Sequence, residues 1–298
     1  MSVLFLTFTL SAPRGNDTDR SYSGEPLLFR DYHKTVGTSS YWDDVVRRVA
    51  DRPYLDPAFA RQRKTMHLAL LAAWVPILEH LSVLKTDLFE EATGNDQFLF
   101  DVNRHCRHRI GVDFSAEVVS RAWHRSKASG ATNLSCVVAD VRQMPLKDGS
   151  VDVIISNSTL DHFVTKHEVF TGLSELKRIL KRGGQLIITL DNPWNPFYPA
   201  LKLLSALHIT PYYLGKSLTR KQLIAALQEQ GFLVDDVQAL SHHPRILMLG
   251  YTHIVRKFLP RSADRHLDNV LAMFDRLKQS KIRFATAAFI AIKATRIA

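Results

Sequence analysis

Cysteine is nearly absent: Cys106 and Cys136 are the only two thiols in 298 residues. Two thiols cannot staple a chain of this length, which excludes a disulfide scaffold and fits a reducing compartment. No Cys/His spacing matches a zinc site. The group His105-Cys106-Arg107-His108 has metal-binding residue types, but its flanking arginines oppose a cation, so no metal is expected. Long apolar runs are missing too. No stretch of about 18 apolar residues exists, so no transmembrane helix is expected. Met1 to Leu10 is apolar but has neither a basic leader nor a long apolar core. No secretory signal is expected, and the cytoplasm is the expected compartment. Internal repeats and low-complexity tracts are absent as well.

What is present is ordinary globular material, 46% hydrophobic and 23% charged. That is enough for a sizeable core and excludes a wholly disordered chain. The net charge of +10 favours acidic partners such as nucleic acid, anionic lipid or an anionic substrate, or serves solubility alone. The densest basic groups, Arg104 to Arg109 and Arg61-Gln62-Arg63-Lys64, have no interleaved aromatics on which bases would stack. A small-molecule partner is therefore favoured over nucleic acid, and the pattern is silent on oligomeric state.

Three regions follow from patterning. Residues 1–40 are rich in Ser, Gly, Pro, Asp and Thr and read as an arm. Residues 41–84 read as a helical cap, with Val45, Val46 and Val49 on one face and Met66, Ala69, Leu70, Ala73 and Ile77 at three- and four-residue steps. Residues 85–298 alternate strand-like and helix-like segments. Strands are expected at Asp87 to Glu90, Arg109 to Asp113, Leu134 to Ala139, Val151 to Ser156, Gly184 to Leu190, Phe232 to Val237 and Phe284 to Lys293. Helices are expected at Asn95 to Cys106, Ser115 to Ala128, Lys166 to Leu180 and Thr219 to Glu229. A substrate-side insertion, mostly helical over 241–280, spans about 192–280. Apolar strands alternating with helices predict an α/β fold with a sheet covered on both faces.

In such a sheet, ligands bind beyond the carboxyl ends of the strands. Those positions carry Glu90 to Asp96, then Asp113-Phe114, Asp140-Val141 and Asn157-Ser158-Thr159. Asp113 lies 23 residues after Glu90, and Asp140 lies 27 after Asp113. Leu180-Lys181-Arg182-Gly183-Gly184 precedes the fifth strand. This series resembles the class I S-adenosylmethionine-dependent methyltransferases, in the group acting on small molecules, over about Leu84 to Leu190.

The resemblance implies a Rossmann-like, doubly wound, seven-stranded sheet with a helical N-terminal extension and a helical C-terminal insertion. It implies S-adenosylmethionine as cofactor. Glu90, Ala92 and Gly94 would form the turn after the first strand, Asp113 with Phe114 would hold the ribose, Asp140 with Val141 the adenine, and Asn157 would follow the fourth strand. The family's turn carries alternating glycines, and here Ala92 and Asp96 stand at two of those places. A pyrophosphate needs such glycines for close backbone approach, so NAD and NADP are not expected to bind.

Methyl transfer needs alignment, and a base only for a protonated acceptor. His162 is the candidate base, since imidazole titrates near neutrality, and Asp161 is the candidate to orient it or act directly. Candidate substrate-side residues are Trp42, Asn192, His243 and Arg245, with Tyr41, Tyr212 and Tyr213 as possible lid aromatics. The expected function is methyl transfer to a small molecule, such as a secondary metabolite or envelope precursor. Two alternatives stay open: an RNA methyltransferase, and a non-catalytic protein keeping the fold.

Overall fold

A computed structural model describes residues 37–49, 55–94, 96–102 and 106–297. Most of the sequence-predicted arm lies outside them, as do Asn95 and the run 103–105. Two helices lead, α1 (Ser39–Val49) and α2 (Pro57–Trp74). The first strand, β1 (Ser82–Thr86), is followed by the short helices α3 (Phe89–Thr93) and α4 (Phe98–Asp101). Then come β2 (His108–Asp113), α5 (Ala116–Ala128), β3 (Leu134–Val138), β4 (Val151–Asn157), α6 (Lys166–Ile179) and β5 (Leu180–Asp191). The chain finishes with α7 (Tyr198–Ala206), α8 (Arg220–Glu229), β6 (Phe232–Leu240), α9 (Arg245–Phe258), α10 (Ala263–Asp275), α11 (Arg283–Thr286) and β7 (Phe289–Arg296).

The sheet order is β3-β2-β1-β4-β5-β7-β6. Six strands point the same way, and β7, running against them, is antiparallel to both its neighbours. Successive side chains of a strand point to opposite faces. Leu84, Ile154, Leu186 and Ile188 therefore share one core with Leu173, Leu176, Leu223 and Leu227 of α6 and α8. Val83, Val153, Ile155 and Ile187 share the other with Leu70, Leu71 and Trp74 of α2. Both faces are covered, as the apolar strands predict. Reciprocal side-chain and backbone caps start α6 (Thr165 with Glu168) and α8 (Thr219 with Gln222), each satisfying amides that helix starts leave orphaned.

Several expectations shift. The strand expected at Asp87 to Glu90 is instead Ser82–Thr86, and Phe89 to Thr93 is helical. The reason is Lys85. A lysine looks wrong inside a strand, yet here it is buried and paired with Glu91 at 2.8 Å. The helix expected from Asn95 shrinks, among the described residues, to Phe98–Asp101. Arg109, fully buried, ends it by donating to the carbonyls of Leu99, Phe100 and Val102. The residues 41–84 are not a separate cap, since α2 covers one sheet face and Ser82 to Leu84 belong to β1. The insertion is two pieces, because α8 and β6 belong to the sheet layers. The last strand starts at Phe289, and Phe284 lies in α11.

Candidate active site

The strand order departs in both directions from β1 and β4, and the loops after those strands splay apart there. A cavity of about 350 Å³ opens at this point. Its first half lies at the ends of β1 and β2. Thr86 pairs in register with Val112, which brings Asp87 beside Asp113. Asp87 takes φ +68°, a left-handed conformation usually left to glycine, and stays there by accepting the Phe89 amide at 2.7 Å. Asp113 accepts the amides of Leu88 and Ser115 at 2.8 and 2.9 Å. Burial, with Asp87 second, pushes its pKa up to about 7 against those hydrogen bonds.

More carboxylates follow on α3. Glu91 is fully buried; one oxygen accepts the Leu99 amide and the other pairs with Lys85, whose charged form that contact sustains. Glu90 ion-pairs with Arg63 of α2, and Arg63 also reaches Asp96 at 3.0 Å. Burial and the nearby Asp96 hold Glu90 well above the usual carboxyl range. Its Oε2 is buried and has no partner among the described residues. Five acids, Asp87, Glu90, Glu91, Asp96 and Asp113, thus face two cations, Lys85 and Arg63, around this half of the cavity.

The second half lies after β4 and β5. Asp161 and His162 sit in a 3-10 turn, Leu160–His162. Asp161 Oδ2 accepts the Asp191 amide at 2.7 Å, and Oδ1 is buried without a partner among the described residues. Burial, then the Asp191 charge, raises its pKa to about 6. Asp191 pairs with Arg245 at 2.7 Å. His162 Nδ1 lies 3.0 Å from the Tyr213 carbonyl, which can only accept. The neutral ring therefore carries its proton on Nδ1 and its lone pair on Nε2. Trp42 and Tyr212 meet the ring edge-on, at 5.0 and 5.4 Å between centroids. Gly215 fixes the turn from outside: a Cβ there would lie 2.3 to 2.6 Å from backbone atoms of Asp161, His162 and Phe163.

Of the sequence-predicted residues, Glu90, Asp113, Phe114, Asp140, Val141, Asn157, Asp161, His162, Trp42, His243 and Arg245 all line this one cavity. Ala92, Gly94 and Asn192 are not among its lining residues. Ala92 packs between α1 and α5, and the Gly94 carbonyl is held by Arg125 at 2.7 Å. Asn192 is structural: its amide holds the carbonyls of Phe284 and Ala287 at 2.8 and 2.9 Å, anchoring the second insertion piece. Asp140 is already tied to Arg142 through both oxygens. Asp87, Lys85, Arg63, Asp191 and Gly215 are additions. Asp87 was legible as an acid after a strand, had the strand been placed four residues earlier. Arg63 and Gly215 act across the fold and carry no local signal.

The family model described as a methyltransferase domain matches residues 90–188. Residues 90–188 thus carry a methyltransferase domain. A curated relative, arsenite methyltransferase of Halobacterium salinarum, is 31% identical over 125 residues, 42% of this chain and 31% of its own length. The tRNA (carboxymethyluridine(34)-5-O)-methyltransferase of Mus musculus is 30% identical over 117 residues, 39% of this chain and 16% of its own. The chain thus spans only a minor part of these relatives. Geranyl diphosphate C-methyltransferase of Streptomyces coelicolor, solved with S-adenosyl-L-homocysteine, superposes with a TM-score of 0.55 over 91% of this chain and all of its own, at 15% identity. The methyltransferase fold accordingly runs well beyond the matched domain. The family implies S-adenosylmethionine as cofactor. Among the described residues, no helix is long and apolar enough to cross a membrane.

The residues present fit that cofactor. Asp113 keeps unused lone pairs for a ribose diol, and the orphaned Glu90 oxygen suits an ammonium. The surplus of carboxylates complements a sulfonium and would repel a pyrophosphate.

Proposed function

We propose that this chain transfers a methyl group from S-adenosylmethionine to a small-molecule acceptor. The observation that carries it is one cavity with two chemically different halves: five acids at the ends of β1 and β2, and Asp161 with an orphaned oxygen after β4. The bound cofactor supplies an electrophilic methyl group. Asp113 holds the ribose and Glu90 the ammonium. Phe114, Val141 and Asn157 flank the adenosine. Asp140 reaches the adenine only through the oxygen lone pairs that Arg142 leaves.

Asp161 is the proton acceptor at Oδ1. At neutral pH it is mostly ionised, while its raised pKa keeps it basic enough to take a proton. His162 holds the segment carrying Tyr213 and walls the cavity with Trp42, and is a positioning residue unless the acceptor reaches Nε2. Arg245 and His243 line the acceptor side, where burial and Arg245 lower His243 to about 4 and keep it neutral. Cytoplasmic placement belongs to this reading, as does a small acceptor over RNA, because the acceptor half is enclosed by aromatics and acids.

A cofactor-binding protein without transfer is the second reading. It is favoured by the turn after β1, where Ala92 and Asp96 stand at places that carry glycine in the family. Calorimetry with S-adenosylmethionine combined with turnover on candidate acceptors tests both. Binding with loss of turnover in Asp161→Asn supports transfer, and absence of binding removes both readings.

A further inference from the structure

Helix α9 has two apolar stripes. Met248, Thr252 and Val255 form the inner one and pack toward α2 and α10. Leu247, Ile254 and Phe258 recur at seven- and four-residue steps, so they share a second face about a quarter-turn away. They are 59%, 55% and 69% exposed. Helix α7 (Leu203), the turn before it (Trp194) and the residues after it (Leu207 and Ile209) add further exposed apolar side chains. Single exposed apolar residues need no explanation, but a set this size on two neighbouring elements does.

The two helices start at one place. The Tyr198 side chain of α7 lies within the field of Asp191 and Arg245, and Arg245 begins α9. Leu201 of α7 and Leu249 of α9 both line the cavity, so the two helices flank its acceptor side. Charge is one-sided here. Residues 192–218 and 241–262 contain no Asp or Glu, while Lys202, Lys216, Arg245, Arg256, Lys257 and Arg261 are basic. Arg245 and Arg256 are consumed by internal ion pairs, Arg256 with Asp56 and with the exposed Asp264 at the start of α10. Lys257 and Arg261 stand beside the outer stripe.

We propose that this face docks on an anionic lipid bilayer, with the outer stripe of α9 and the exposed residues of α7 entering the headgroup boundary, and so presents the cavity to amphiphilic acceptors held in lipid. Apolar side chains flanked by lysine and arginine, without acids, are what an interfacial helix needs. A second copy fits less well, because a two-fold contact would set Lys257 and Arg261 against themselves. Docking does not depend on methyl transfer, whereas the amphiphilic acceptor class rests on that reading.

The test is flotation of the full chain with phosphatidylcholine vesicles containing phosphatidylglycerol, alongside phosphatidylcholine vesicles alone. Binding is expected to the anionic vesicles and to weaken with added salt. Ile254→Ser/Phe258→Ser should lower the affinity about tenfold or more, since two large apolar side chains no longer enter lipid. Lys257→Glu/Arg261→Glu should abolish the preference for anionic vesicles. Cofactor titration, read separately, should be unchanged in both variants. Four results would each overturn docking: no vesicle binding by the folded wild type; equal binding by the serine variant; conversion of a wild-type dimer to a monomer by the serine variant; or a large drop in its melting temperature, which would show that the stripe packs against the chain's own residues.

Discussion

The two halves of the cavity settle their charge differently. At the ends of β1 and β2, five carboxylates meet two cations, and burial leaves Glu90 and Asp113 reluctant to ionise. After β4 and β5, Asp191 is matched by Arg245, and the remaining acid, Asp161, is buried beside His162, whose ring meets Trp42 and Tyr212. The first half is an unfinished electrostatic arrangement that a cationic ligand completes. The second is nearly neutral and holds one group able to take a proton. On this difference rests the proposal that the cofactor takes the first half and the acceptor the second.

The sharpest way to break this division is Asp161→Asn. With the proton acceptor gone, the maximal rate on an acceptor that must lose a proton should fall ~10²–10⁴-fold while cofactor affinity holds. In the wild type, the rate should fall as pH drops through about 6, where Asp161 takes up a proton. A variant with near-normal turnover would move the base elsewhere, to His162 first. Gly215→Ala comes next. Its Cβ would push the turn carrying Asp161 and His162, and a displacement near 1 Å costs on the order of 10²-fold in rate. Stopped turnover with intact cofactor binding would place the damage in the acceptor half, and unaltered kinetics would show that the turn tolerates the shift. A smaller effect is expected for His162→Gln, whose amide can still donate to the Tyr213 carbonyl: less than tenfold in rate and a pH profile of unchanged shape. A flattened profile would restore His162 as the base.

The smallest effect sharpens the comparison through stability. An unfolded Asp titrates near 3.9. Folded Asp113 titrates at about 7, so between these values the folded state binds more protons, and its contribution to stability falls as pH rises from about 4 to about 7. Buried His67 and His243, lowered to about 3 and 4, act in the opposite sense below about pH 6.5. The readout is therefore a difference: the ligand-free Asp113→Asn variant should gain melting temperature over wild type progressively from pH 4 to 7. A gain that is constant across that range would mean that Asp113 is ionised throughout.

The later strands were legible because they obey simple patterns: apolar runs between a capped helix and a turn. Asp113, Asp140, Asp161 and His162 were found as residues following such strands. The start of the sheet was not. β1 is only five residues long and contains Lys85, so the apolar signal moved to Asp87-Leu88-Phe89, which is a turn entering a helix. A strand ending at Glu90 would put Ala92 and Gly94 at the cavity, whereas both lie outside its lining. The 23-residue spacing from Glu90 to Asp113 nevertheless picked a residue that does line it. From sequence Arg63 is only part of a basic cluster, because its partners Glu90 and Asp96 become neighbours through packing of α2 against the sheet. Asn192 was in the right loop but its amide faces the insertion.

The most direct test is a calorimetric titration of the purified chain with S-adenosylmethionine and with S-adenosylhomocysteine, for wild type and Asp113→Ala. The acidic half of the cavity predicts saturable binding by wild type, tighter for the sulfonium than for the neutral thioether. It also predicts a loss of ~1–3 kcal/mol in the variant, where the ribose hydroxyls are left unpaired. Equal affinities for the two ligands together with an unaltered variant would contradict it.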